Sequence, residues 1–256
     1  MVANGGIRAI DLLAYDPDYP EEIGAYCIQA LAAIGGTKAL AAIAGYAKDE
    51  RWRVRVAIGD AWSQFEARRY AERVLTGWQK LALSATPPTS DQLRLLPNLT
   101  QLDLRSTSVS DLSALAGLTQ LTQLVLRGTS VSDLSALAGL TQLTQLSLDL
   151  RSTSISDLSA LAGLTQLTQL SIDLRGTSVS DLSVLAGLTQ LTRLSLYLRG
   201  GSVSDLGVLA GLTQLTQLDL SGTSVNDLSM LAGLTQPTQL SLSLRGTSVS
   251  DLSALA

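Results

Sequence analysis

From residue 99 onward, apolar and polar positions follow one phrase that keeps returning. Read from 99 to 120 it is Leu-Thr-Gln-Leu-Asp-Leu-Arg-Ser-Thr-Ser-Val-Ser-Asp-Leu-Ser-Ala-Leu-Ala-Gly-Leu-Thr-Gln. Its second Asp recurs at 111, 133, 157, 181, 205, 227 and 251, a period of 22 or 24 residues. A self-similar period of this length predicts a solenoid, in which each unit buries its apolar face against its neighbours. Within one copy, Leu99, Leu102 and Leu104 place apolar side chains on one face of a short strand. Asp111 stands where a carboxylate can accept backbone N–H bonds and cap a helical turn. Leu112, Leu115 and Leu118 then return inward at helical spacing, and Gly117 can end the turn. Four copies carry two extra residues, giving stretches such as Leu146-Ser147-Leu148-Asp149-Leu150. An insertion of two preserves the inward–outward alternation, whereas one would flip every later side chain. Longer strands or a paired bulge are expected there.

Residues 1–85 read mostly as helices. Ala30, Leu31, Ala33 and Ile34 lead to a stop at Gly35-Gly36, and Thr37 starts a helix from Lys38 to Lys48. Asp49 is placed to cap a third helix, whose Val54, Ile58, Ala61 and Phe65 share one face at spacings of four, three and four. A short helix with Tyr70, Val74 and Leu75 follows. The run Ser84-Ala85-Thr86-Pro87-Pro88-Thr89-Ser90 marks a linker. The expected domains are a helical region over 1–85, a linker with a partial leading repeat (Leu93, Leu96) over 86–98, and a solenoid of seven repeats over 99–256, the last truncated.

The repeats resemble the leucine-rich repeat family, in particular its 22-residue, internalin-like class. The resemblance implies an α/β fold, a curved solenoid with a parallel sheet on its concave side. One departure is Thr107, Thr129, Thr153, Thr177, Thr223 and Thr247, where the family usually has Asn. Over residues 25–66, two helices, a Gly-marked turn and Val-Arg-Val-Ala-Ile at 54–58 resemble a HEAT-like repeat. With Asp60-Ala61-Trp62, Phe65, Tyr70-Ala71 and Val74-Leu75, this all-α region is similar to the segment joining NTPase core to repeats in bacterial NACHT/STAND-type proteins.

Composition narrows the chemistry. The chain has no His, so His-based acid–base or metal chemistry is excluded. Cys27 is the single cysteine, so no internal disulfide can form. No apolar run reaches the ~18 residues a membrane helix needs, and Met1-Val2-Ala3-Asn4-Gly5-Gly6 lacks a signal-peptide pattern. A cytoplasmic protein with no membrane contact and no cofactor is expected. Ile34-Gly35-Gly36-Thr37-Lys38 superficially matches a phosphate loop, but Thr precedes Lys and a helix boundary explains it. Serines without an activating base offer no nucleophile, so an enzyme is not expected. The Asp ladder reads as caps, because one Asp per repeat does not converge the six to eight oxygens that calcium needs. The basic cluster Arg51, Arg53, Arg55, Arg68, Arg69 and Arg73 reads as the wet face of two helices.

The repeats hold seven Arg and eleven Asp, with neither Lys nor Glu. Arg105, Arg127, Arg151, Arg175, Arg199 and Arg245 follow the strands, and alternation puts them, with Arg193, on or near the concave side. Asp103, Asp149, Asp173 and Asp219 share that side, leaving it at +3. Two readings stand: the arginines pair with neighbouring Asp, or they receive an anionic protein partner. Nucleic acid is disfavoured by the acidic overall charge and the scarcity of aromatics on the repeats. Tyr197 is the only aromatic in the repeats, and Arg193 stands where sibling repeats have Gln. Aromatics and arginines dominate interface hot spots. The candidate site is therefore Arg175, Arg193, Tyr197 and Arg199, extended by Arg151, Asp149 and Asp173.

The expected function is a non-enzymatic protein-binding module, a sensor or scaffold using its concave face, by resemblance the sensing end of a NACHT/STAND-type protein. The alternatives are an internalin-like surface adhesin and the regulatory repeats of an enzyme whose catalytic domain lies elsewhere. The run Asp251 to Ala256 stops mid-repeat without a cap, so a longer protein, a frayed rung or self-association through that rung are the three expectations there.

Overall fold

The computed structural model describes residues 9–203, 205–221, 223, 228–233 and 241–247. The chain forms two compact units, Met1–Ser108 and Val109–Ala256.

In the first unit, α1 (Glu21–Ile34) follows Pro20 and carries Glu21 and Glu22 in its first turn, where the exposed N–H groups favour negative charge. It buries Cys27, Ile28 and Leu31. It stops where Gly35 and Gly36 take left-handed backbone, φ 69° and 76°. The Gly-Gly pair is thus a helix boundary. The next helix, α2 (Gly36–Gly45), ends three residues before Lys48. Its end is set by Tyr46, whose ring is fully buried and whose hydroxyl donates to the carbonyl of Leu13 at 2.9 Å.

Asp49 does not cap the third helix. Its carboxylate accepts the Arg51 backbone N–H at 3.0 Å and pairs with the Arg51 guanidinium, while α3 (Trp52–Ala61) starts one residue later without a side-chain cap. Val54, Ile58 and Ala61 do line its buried face. Phe65 does not extend that face, because the chain turns through a 3-10 segment at Trp62–Gln64. Phe65 instead stacks on Tyr70 at 5.3 Å. Glu66 caps α4 (Ala67–Val74), accepting the N–H groups of Arg68 and Arg69.

Of the arginine cluster, Arg53, Arg68, Arg69 and Arg73 are exposed, as expected, whereas Arg51 and Arg55 are half-buried. Arg55 lies 3.5 Å from the Trp78 ring centroid and donates to the carbonyl of Lys80, and burial lowers its affinity for a proton. Arg53 faces Glu22 at 3.6 Å.

A strand missing from the sequence reading, β1 (Lys80–Ala82), pairs in parallel with β2 (Gln101–Asp103). Helix α3 lies directly on β1. A Cβ at Gly59 would collide with the carbonyl oxygen of Ala82. The Asp60 carboxylate also accepts the N–H groups of Ser84 and Ala85. Residues read as linker contain the four-residue helix α5 (Ser90–Leu93), closed by a reciprocal Thr89–Gln92 capping box.

The second unit is a regular coil of rungs. Strands β3 (Gln123–Leu126), β4 (Gln145–Asp149), β5 (Gln169–Asp173), β6 (Arg193–Tyr197), β7 (Gln217–Asp219) and β8 (Ser241–Ser243) each pair in parallel with the next. Register keeps equivalent residues opposite one another: Gln145 faces Gln169, Gln169 faces Arg193, and Arg193 faces Gln217. The leucines of successive rungs share one interior, as in Leu146, Leu170, Leu194 and Leu218, each at most 3 % exposed. Three of the four two-residue insertions lengthen β4, β5 and β6 to five residues each, without a bulge; the fourth falls at β8, part of whose rung lies outside the described residues. Each of those three adds one outward residue and one buried leucine, Leu150, Leu174 or Leu198.

The turns on the far side are 3-10, as at Ser135–Gly139 and Ser183–Gly187. The Asp ladder opens them from two residues ahead. Asp111, Asp133, Asp157, Asp181 and Asp205 accept the N–H groups of Ser113, Ser135, Ser159, Ser183 and Gly207 at 2.7–2.8 Å. These N–H bonds and the hydroxyls of the same serines hold the Asp111, Asp133 and Asp181 carboxyls below the usual carboxylate range, and at Asp157, likewise held low, the Ser159 hydroxyl contributes most. Asp227 and Asp251 lie outside the described residues, as does the final half-repeat to which self-association was assigned.

Two threonine series tie the coil. Thr129, Thr153 and Thr177 donate to the carbonyl three residues back in their own rung, at 2.8–3.0 Å. One hydroxyl satisfies one backbone group here, where an amide could reach two. The second series runs between rungs. The Thr122 carbonyl accepts three donors from the next rung: Thr144 N at 2.8 Å, Gln145 N at 3.0 Å and Thr144 Oγ1 at 3.1 Å. Thr144, Thr168 and Thr192 repeat that arrangement in turn.

Candidate functional site

Alternation along β3 to β7 sends leucines inward and leaves short rows of mostly polar side chains on the opposite face. One row is Gln123, Gln145, Gln169, Arg193 and Gln217; the next contains Ser147, Ser171, Ser195 and Asp219. Together they floor an open groove of about 480 Å³ that reaches Ser243.

The structure joins five of the seven sequence-predicted site residues into one network. The Asp149 carboxylate receives Arg151 Nη2 at 2.7 Å and Nε at 2.8 Å. Arg151 Nε also lies 3.5 Å from Asp173, which receives Arg175 Nη2 at 2.5 Å. The Arg175 guanidinium stands 6.0 Å from the Tyr197 ring centroid. Burial pushes the Asp149 carboxyl up, but hydrogen bonds and charge from Arg151, with the N–H of Gly128, outweigh it and hold it low. The same pairs raise Arg151 and Arg175. These arginines are about half exposed, so each pair adds under ~1 kcal/mol of stability. Its larger effect is to neutralise the stripe. In the first unit Arg105 pairs likewise with Asp103 at 2.5 Å.

Arg193 and Arg199 stand apart from this network. Both are exposed. Arg193 lines the groove four residues before Tyr197, roughly 13 Å along the strand at ~3.3 Å per residue. Among the described residues, the side chains of these two arginines and of Arg245 have no hydrogen-bond or ion-pair partner. Arg127 behaves differently from every sibling. It has no carboxylate, and lies across the serine row, donating to Ser147 at 2.8 Å and Ser171 at 3.1 Å. Those serines, and the glutamines beside them, carry no sequence signal of function; only the register makes them a surface.

A second groove, of about 460 Å³, lies wholly within the first unit. Trp52 (46 % exposed) and Tyr26 (67 %) line it, and Arg105 lies 4.8 Å from the Trp52 ring centroid. Trp52 and Arg105 are 53 residues apart, and no pattern in the sequence links them. Among the described residues, no three Asp, Glu or Cys side chains converge as metal ligands. No helix among them is long and apolar enough to cross a membrane.

A family model described as leucine-rich repeats (2 copies) matches residues 97–139. Among solved structures, internalin C2 from Listeria monocytogenes is 34 % identical, with a TM-score of 0.61 over 74 % of this chain and 79 % of that one. An internalin F from the same organism is 28 % identical, with a TM-score of 0.51 over 68 % of this chain and 55 % of that one. TLR13, solved as a complex with ssRNA13, is 23 % identical with a TM-score of 0.54 over 72 % of this chain and 28 % of that one, a likeness of fold alone. No curated protein matches the sequence.

Proposed function

The chain belongs to the leucine-rich repeat family, and we propose that it is a non-enzymatic protein-binding module, a cytoplasmic sensor or scaffold that works through the strand face of its repeats. One observation carries this reading. The inward side of β3 to β7 is filled with leucine and isoleucine, while the outward side gathers mostly polar side chains, many without partners among the described residues, into a single groove. Repeat coils present such extended surfaces to other proteins. The resemblance of residues 25–66 to a HEAT-like repeat, together with the helices α1, α2 and α3 found there, supports a place at the sensing end of a NACHT/STAND-type signalling protein. The proposed contact residues are Arg193, Tyr197 and Arg199, with the neutralised Asp149, Arg151, Asp173 and Arg175 as their rim. Ser171→Trp tests the reading by filling the groove. Proteins captured by the wild type should be lost by this variant, and equal capture of the same set removes the strand face from consideration.

A second reading, an internalin-like surface adhesin, is favoured by the 34 % identity to internalin C2. Protease shaving of intact cells separates the two. An adhesin is cleaved; a cytoplasmic sensor is protected until lysis.

A further inference from the structure

We infer that the groove reads one acidic side chain of an extended partner segment, seated on Arg193 between Gln169 and Gln217. The inference rests on the strand-face reading above and specifies its partner.

It starts from which cations are still available. Arg151 and Arg175 are held by Asp149 and Asp173, and Arg127 is laid over Ser147 and Ser171. Arg193 alone among the unpartnered arginines lines the groove. Register puts Gln169 and Gln217 directly beside it, one strand away on either side. At ~4.8 Å per strand, the three side chains form a compact row of donors, a guanidinium flanked by two amides. Both amides lack partners among the described residues. A carboxylate matches this row, because charge-assisted hydrogen bonds to a guanidinium are the strong ones. Asp219 opposes it from one side. Its carboxylate is turned to its own rung, taking Ser221 N at 2.9 Å and Ser221 Oγ at 2.5 Å, and its charge repels an acid placed further along β7. The acid is thereby confined to the Gln–Arg–Gln row.

The groove crosses six strands and is open, so a partner chain passes through it and presents a side chain rather than a terminus. Five strand spacings cover roughly 24 Å, the reach of about seven extended residues.

Seven-residue peptides, displayed internally so that no free C-terminus is offered, are selected on the full chain. The enriched peptides should share an Asp or Glu at one position. Arg193→Gln should weaken them at least about tenfold, the scale of one charge-assisted bond. That substitution installs the residue already present at 145, 169 and 217, so the fold has sibling rungs as its control. Arg193→Glu should turn selection toward Lys or Arg, whereas Arg245→Gln, an exposed arginine outside the groove lining, should change affinity less than threefold. Enriched peptides that bind Arg193→Gln as well as wild type, or that share no acid, overturn the carboxylate seat. If Ser171→Trp abolishes their binding at the same time, the strand-face reading survives. If Ser171→Trp leaves binding intact, both fall.

Discussion

The two units solve the same problem in opposite ways. The first is held by contacts that occur once. Tyr70 donates its hydroxyl to the carbonyl of Ile58, the Trp62 indole donates to Ala67, and Gly59 admits the Ala82 carbonyl. Among the described residues, the second repeats a few contacts from rung to rung: a leucine interior, an Asp that opens a turn, a threonine hydroxyl on the previous rung's carbonyl. A singular contact has no understudy, so its loss is felt in full. A repeated contact is backed by its siblings, but a coil transmits stability only between neighbours, so a weak rung disconnects those on either side. The difference also bears on function. Uniform rungs make any departure conspicuous, and in the glutamine row of the groove the departure is Arg193 on β6.

This contrast can be broken experimentally, because Trp52, Trp62 and Trp78 all lie in the first unit. Tryptophan emission reports that unit alone, and far-ultraviolet circular dichroism reports both. The largest effect is expected from Leu170→Ala in a central rung, about 3 kcal/mol of lost stability. The dichroism transition should broaden or split while the tryptophan midpoint stays fixed; a joint shift of both would deny the separation. Gly59→Ala comes next, at about 2 kcal/mol from overpacking against β1, with the tryptophan midpoint now moving first. Thr168→Val removes one of three donors from the Thr144 carbonyl and should cost about 1 kcal/mol or less by dichroism. The gentlest perturbation is acid. The Asp carboxyls at 111, 133, 157 and 181 are held low in the folded chain, so the unfolded chain takes up protons first as pH falls. Their stabilisation is complete above the ordinary carboxylate range, near pH 4, and is lost below it. The first unit shows one such group, Asp49. Between pH 7 and pH 3 the dichroism midpoint should therefore fall further than the tryptophan midpoint.

The repeats were legible because period and alternation act together. Leu146, Leu148 and Leu150 could face only one way, and insertions of two had to keep that alternation, whether by a longer strand or by a paired bulge. Asp111 and its siblings were placed by the same logic. What escaped the reading has no period. Strand β1 is three residues long and is defined by its pairing with Gln101–Asp103. Asp49 and Arg51, two residues apart, satisfied each other instead of the helix. At the site, net charge predicted a basic stripe, but charge counts ignore reach. Arg151 and Arg175 fold back onto the aspartates two residues before them, and Arg127 spans 20 and 44 residues of sequence to its serines. Which arginines remain open is a matter of side-chain geometry that no tally contains.

The carbonyl that accepts three donors gives the coil a direction. From Thr122 to Thr192 each rung offers one oxygen forward, and its successor supplies all three hydrogens, whatever the length of chain between. Steps of 22 and 24 residues are served by the same clasp, so a whole unit can be copied or deleted and the ends still meet. The array is thus free to vary in length across generations by tandem duplication, while a frameshift of the pattern by a single residue would have nothing to fasten to.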